Sequence, residues 1–191
     1  MRKKLIAGAV ALLCLTMLGY STIAYFTAED TATNVITSGN IQIQLQETAI
    51  TEDGETVLFQ DSQERFDVVP GQSVSKIVTV QNTGENDAYI RIKIQKQIDL
   101  AEGVTGTPDT GLLGLDINKE SWTEKEGFYY YNKPLSPGAV TEPLFETVIF
   151  DASMNNLYQN STALIEVTAY ATQVVNNGAD VMEARGWPAV R

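Results

Sequence analysis

The chain has 191 residues, with 13 Lys and Arg against 24 Asp and Glu, no histidine and a single cysteine, Cys14, for a formal net charge of −11. That balance excludes nucleic acid as a partner, because binding phosphate depends on clustered Lys and Arg displacing counterions, and the missing imidazole excludes the common zinc sites and histidine-based proton transfer. A lone thiol leaves no disulfide within the chain, so stability must come from an apolar core.

Arg2, Lys3 and Lys4 precede an uncharged apolar stretch from Leu5 to Gly19, and the small residues Thr22 and Ala24 stand where a signal peptidase needs them. Residues 1–24 are therefore expected to form a signal helix cut between Ala24 and Tyr25, which puts the remaining chain outside the cytoplasm, secreted into an extracellular matrix or held at the cell surface. The alternative is an uncleaved anchor. Leu5 to Phe26 is free of charge and comparable with the ~20 residues that span a hydrocarbon core, and the membrane would then be met only through this segment. Gly19 and the small polar residues after it weaken a helix there and favour cleavage. Cys14 lies inside the apolar run behind Leu13, a poor context for lipidation, and reads as a small hydrophobe. Loss of residues 1–24 leaves ten basic and 24 acidic groups, a net charge of −14, which suits a soluble protein kept apart from its neighbours by self-repulsion.

Tyr25 to Asn40 is rich in Thr, Val and Ile and is expected as a mobile N-terminal segment ahead of a single domain spanning 41–191. From Ile41 onward, period-2 alternation is the dominant signal. Ile41, Ile43 and Leu45 alternate with Gln42, Gln44 and Gln46; Val74, Val78 and Val80 line one face of the next run; Ala88, Ile90, Ile92 and Ile94 alternate with Tyr89, Arg91, Lys93 and Gln95. The turn-like Asn82–Asp87 stretch between the last two predicts an antiparallel hairpin over 73–97. Leu100 to Glu126 shows no sustained period and reads as a long connection carrying short strands. The aromatics of Gly127–Asn132 favour a strand, Leu144–Phe150 makes another, and a polar, partly helical link over Asp151–Gln159 leads to the longest, Thr162–Val175. Ala179–Ala184 is expected to form a brief helix before Gly186-Trp187-Pro188 stops it. Pro70-Gly71 and Pro137-Gly138 each place Pro before Gly as a type II turn requires.

About eight strands joined by such turns predict an all-β chain with few short helices: a two-sheet antiparallel sandwich of jelly-roll or immunoglobulin-like type. The missing Cys pair and the long middle connection favour the jelly roll. Catalysis finds little footing. Glu146 and Glu166 are the one candidate carboxylate pair within strands, and their ordinary role is solvent-facing. No G-x-S-x-G or S-x-x-K context supports a nucleophile. Glu52-Asp53-Gly54-Glu55 and Glu85-Asn86-Asp87 offer oxygen ligands without the spacing of a known calcium loop and read as solvated turns. No enzyme activity, metal or cofactor is expected. Trp122, Tyr129 and Tyr131 are a candidate binding surface, because aromatic runs can stack on sugars, although such runs more often divide between core and interface.

Ala24-Tyr25-Phe26-Thr27 followed by Thr37-Ser38-Gly39-Asn40-Ile41-Gln42-Ile43, then Val69-Pro70-Gly71-Gln72-Ser73 and Val78-Thr79-Val80-Gln81-Asn82-Thr83-Gly84, resemble the TasA and camelysin family of Gram-positive bacteria over the first hundred residues. Tyr129-Tyr130-Tyr131, Pro134–Gly138 and Leu144-Phe145 are similar to segments of related exported proteins. The resemblance implies export by a signal peptidase of the SipW type and a secreted jelly-roll subunit of biofilm-matrix fibres, its partners being further copies of itself or related matrix subunits. It also implies that the N-terminal strand of one subunit completes the sheet of the next, which makes Tyr25, Phe26, Val35 and Ile36 the expected polymerisation strand. The metal-dependent protease activity ascribed to some camelysins does not carry over, since H-E-x-x-H is missing. The alternative function is a cell-surface carbohydrate- or protein-binding module using the aromatic run.

Overall fold

The computed structural model describes residues 35–37, 41–59 and 65–190, all within the unit Ala32–Arg191. The expected signal helix, the Ala24–Tyr25 junction and Phe26 lie outside the described residues. The strands are β1 Val35–Thr37, β2 Ile43–Ile50, β3 Thr56–Leu58, β4 Arg65–Asp67, β5 Ser73–Ser75, β6 Ile77–Asn82, β7 Ala88–Asp99, β8 Leu113–Leu115, β9 Trp122–Lys125, β10 Phe128–Tyr131, β11 Thr147–Phe150 and β12 Thr162–Gln173. Two one-turn 3-10 helices, Thr110–Leu112 and Asn156–Tyr158, are capped by Asp109 and Asn155, whose side-chain oxygens accept from the N–H two residues on.

The fold is organised by the pairing of β7 with β12. The two run antiparallel in unbroken register from Ala88 opposite Gln173 to Asp99 opposite Thr162. On the inner face each alanine of β12 stands across from an isoleucine of β7: Ala163 from Ile98, Ala169 from Ile92, Ala171 from Ile90. Small against large keeps the paired volume constant, and these six side chains are buried. β10 then adds to β7 and β9 to β10, while β1 and β4 add to the other side of β12. Two three-stranded sheets, β5-β11-β8 and β3-β2-β6, complete the strands. All pairings are antiparallel except that of β1 with β12, which is parallel. Ile43 and Leu45 from β2, Val78 and Val80 from β6, Val148 and Phe150 from β11, and the inner faces of β7 and β12 fall in a single buried cluster. Each such side chain removed from water contributes about 1.5–3 kcal/mol.

The expected hairpin over 73–97 does not form. β6 pairs with β2, and β7 pairs with β12 and β10, so the chain leaves one sheet at Asn82 and enters another at Ala88. Alternation alone cannot distinguish two strands lying side by side from two strands in different sheets that send their apolar faces into the same core. Asn82 decides it. Fully buried, it donates through Nδ2 to the carbonyls of Asn86 and Leu135, both at 2.8 Å, and accepts from Gly84 N–H at 3.0 Å. These bonds tie the exposed turn at Asn86 and the chain at Leu135 to one buried side chain. A Cβ on Gly84 would meet the Gln42 backbone nitrogen at 3.0 Å, so the corner also needs glycine there.

Both Pro-Gly sites form the expected turns. Gln72 N–H donates to the Val69 carbonyl and Ala139 N–H to that of Ser136, with φ of +76° at Gly71 and +77° at Gly138. Residues 179–184 form turns rather than the expected helix; Asp180 takes the Met182 and Glu183 N–H groups on its own side chain, and Gly186, with φ of +70°, follows closely. This C-terminal stretch packs on the outer face of the six-stranded sheet, where Val181, Met182, Ala184 and Trp187 cover Tyr89, Phe128 and Tyr130. That cover is why the first five residues of β7 are buried on both faces.

Candidate functional site

β12 is paired along one whole side with β7 and, among the described residues, at its two ends on the other. β4 holds the start, with Phe66 opposite Ala163. β1 holds the far end in parallel, with Val35, Ile36 and Thr37 opposite Ala169, Tyr170 and Ala171. Between them Ile165–Thr168 has no strand partner on this side among the described residues, and residues 60–64, which lead into β4, lie outside them. Strands at this edge pair through main-chain N–H and C=O groups that any extended segment can supply. Of the residues expected to form a polymerisation strand, Val35 and Ile36 are thus present at this edge. The segment 25–40, expected to be mobile, is in part paired: half-buried Val35 packs against the core beside Ala169.

Among the described residues β3 pairs with β2 on one side and has no strand partner on the other. Ile50, Val57 and Leu58 on the β2–β3 hairpin are among the most exposed large apolar side chains of the described residues. Its turn carries Glu52, Asp53 and Glu55, acids that oppose the approach of another acidic copy.

The aromatic residues expected as a binding surface do not form one. Trp122 and Tyr131 are 2% and 1% exposed and stack on each other with centroids 5.1 Å apart. Strand alternation sends residues 129 and 131 of β10 inward, and the β9–β10 register sets Trp122 opposite Tyr131. Their polar ends meet Glu142: Trp122 Nε1 donates to its carbonyl at 3.1 Å, Tyr131 Oη donates to its carboxylate, and Lys133 Nζ reaches Oε1 at 2.9 Å. The Tyr131 hydroxyl, and then Lys133, hold the Glu142 carboxyl down at about 2. Tyr129 alone is half-buried, at a shallow depression it shares with Ile94, Lys96, Leu115 and Glu124. Burial and the Glu124 charge opposite it raise its hydroxyl pKa, and burial lowers that of Lys96, whose ammonium donates to the Leu113 carbonyl at 2.6 Å.

Phe128 and Tyr130 point outward, toward a different group. The Arg91 guanidinium lies 4.0 Å from the Phe128 ring, 4.6 Å from Trp187 and 5.3 Å from Tyr170, a cation shielded by aromatic faces.

Glu146 and Glu166 do not come together as a catalytic pair. Glu146 is exposed just ahead of β11, and Glu166 sits on β12 in another sheet, between the inward-facing Ile165 and Val167. Among the described residues no group of three or more Asp, Glu or Cys is placed to hold a metal ion, and no helix is long and apolar enough to cross a membrane.

Two polar centres escaped the sequence. Lys76 is wholly buried, 2.9 Å from Glu47 Oε2, with the Phe59 ring 4.3 Å from its ammonium. Its position between Val74 and Val78 on one strand face was the available signal. Glu142 lies outside any strand and carried none. No family model, curated protein or solved structure matches the chain.

Proposed function

We propose that this protein is a secreted structural subunit that polymerises into extracellular matrix fibres, a β-strand of one copy adding to the sheet of the next. The observation that carries the reading is the edge of β12, where the three-residue strand β1 pairs in parallel and sets Val35 and Ile36, two residues of the expected polymerisation strand, on main-chain partners. Main-chain bonds would supply affinity and alternate side chains register. The family resemblance of the Ala24–Ile43 stretch points the same way, as does an acidity that keeps copies apart until a specific edge is offered.

The same reading takes the fold as a two-layer jelly roll. β5 and β6 are separated by Lys76 alone, and both bond to the continuous stretch 139–150: Lys76 N–H to the Glu146 carbonyl, Val78 N–H to that of Phe145, Thr141 N–H to that of Val80. The two small sheets are in this way stitched into one layer opposite the six-stranded sheet, with a shared core between them.

Deleting residues 25–40 should leave a folded monomer, since only Val35 of the described part of that segment packs against the core, and should abolish polymer. Fibres counted in electron micrographs of full-length and truncated protein at equal concentration test this; undiminished fibres from the truncated chain would reject strand addition by this segment.

A further inference from the structure

Strand alternation sends two opposite charges into the core. Glu47 follows Ile43 and Leu45 on the inner face of β2, and Lys76 stands just ahead of β6, two residues before the buried Val78. Lys76 has no access to solvent, and its ammonium, which carries three N–H donors, makes one hydrogen bond among the described residues, to Glu47 Oε2 at 2.9 Å. The Phe59 and Phe66 rings stand beside it, with centroids 4.3 Å and 6.0 Å from Nζ and 5.2 Å from each other. The other carboxylate oxygen, Glu47 Oε1, is buried and accepts no hydrogen bond among the described residues. We propose that these two side chains condense, joining Lys76 Nζ to Glu47 Cδ in an intramolecular amide that the folded chain forms without an enzyme. The proposal is independent of how copies of the chain associate.

Three observations carry it. Nζ is held against one carboxylate oxygen and so stands next to the carboxyl carbon, and a fold that fixes both reactants replaces a bimolecular encounter by an intramolecular step. The surroundings disfavour the ionised pair. In water hydration keeps an amine and an acid charged and apart, whereas here Oε1 and two of the ammonium N–H groups lack hydrogen-bond partners among the described residues, which shifts the balance toward the uncharged amide. Glu47 also keeps a small exposed part, a route by which the released water leaves.

The step balances within the pair. One ammonium proton passes to Oε2 along the existing hydrogen bond, leaving a neutral amine and a carboxylic acid. The nitrogen lone pair adds to Cδ, the Cδ–Oε2 bond breaks, and Oε2 departs as water with its own proton and a second one from nitrogen. An N–C bond replaces a C–O bond with no change of oxidation state, and Oε1 remains as the amide carbonyl. The product ties β2 covalently to the start of β6, strands already paired from Glu47 opposite Val78 to Ile43 opposite Asn82.

Intact mass spectrometry of the purified parental protein, denatured for the measurement and with its N-terminus fixed by sequencing, tests this. The expected mass is that of the sequence less one water. Trypsin should fail to cut after Lys76 and should leave a branched peptide whose fragments join Glu47 to Lys76. Lys76→Met, which keeps the length of the side chain and removes the nucleophile, should show its full sequence mass, as should Glu47→Leu. The branched peptide from the parental chain decides even where a variant fails to fold. A parental protein at its full sequence mass would overturn the cross-link. So would a water lost equally from Lys76→Met, or one mapped to Asp53-Gly54, where imide formation also expels water.

Discussion

Glu142 shows how one exposed loop residue can serve the buried side chains behind it. Its carboxylate accepts from Tyr131 and Lys133 while its carbonyl accepts from Trp122, so the buried aromatic pair keeps its polar ends satisfied at the rim. Because its folded pKa lies near 2 against an ordinary 4.5, the ionised form favours the native state. The stabilisation is complete above about pH 4.5 and is lost as pH falls toward 2. Glu142→Gln lacks this titration, so the gap in melting temperature between the parental protein and the variant should be constant from pH 7 to 5 and close between pH 4.5 and 2.5. A gap independent of pH over that range would show that ionisation of Glu142 does not support the fold. The carboxylate side chain is 45% exposed, so solvent screening keeps the effect modest. The Lys76–Glu47 pair is the opposite case: Lys76 has no access to solvent and Glu47 little. Removing Glu47 alone would leave a buried cation without its partner.

At the scale of elements, the sequence marks strands well and their partners poorly. The inward residues of β2, β6, β7 and β12 are the ones alternation picks out, because the pleat period is a local property. Which strand lies beside which depends on contacts between distant residues, and the corner at Asn82 shows how few of them are needed to redirect the chain from a hairpin into a crossing between sheets. Asn82→Asp keeps the acceptor for Gly84 and loses both donors to the carbonyls of Asn86 and Leu135. Asn86 is exposed and the Leu135 carbonyl still accepts from Ala88 N–H, so the cost lies chiefly in an acid buried without its donors; the expected loss is about 1–3 kcal/mol, read from the midpoint of urea denaturation at unchanged slope. A loss within ~0.5 kcal/mol would mean that the corner is held by its other backbone bonds. The short strands β1, β3, β4, β5 and β8, three residues each, carry too few residues to show a period.

For the whole molecule, the excess of acid sets the terms of association. A net charge of −14 without residues 1–24 repels like copies at long range, and the range falls from about 30 Å at 0.01 M salt to about 8 Å at 0.15 M. Fibre growth, followed by light scattering, should therefore show a shorter lag as sodium chloride rises over that interval, while seeded growth changes less, since seeding removes the nucleation step that the repulsion slows most. A lag indifferent to salt would show that repulsion between like-charged copies does not limit nucleation. The sequence by itself determined the all-β class, the faces that meet the core, both Pro-Gly turns and the absence of histidine chemistry, because alternation, fixed proline φ and residue inventory are local. The tertiary structure alone decided that Trp122 and Tyr131 are interior, that β6 and β7 belong to different sheets, and that β1 lies parallel beside β12. Those outcomes depend on which distant segments compete for the same backbone groups and the same buried volume, and no window of neighbouring residues contains that competition.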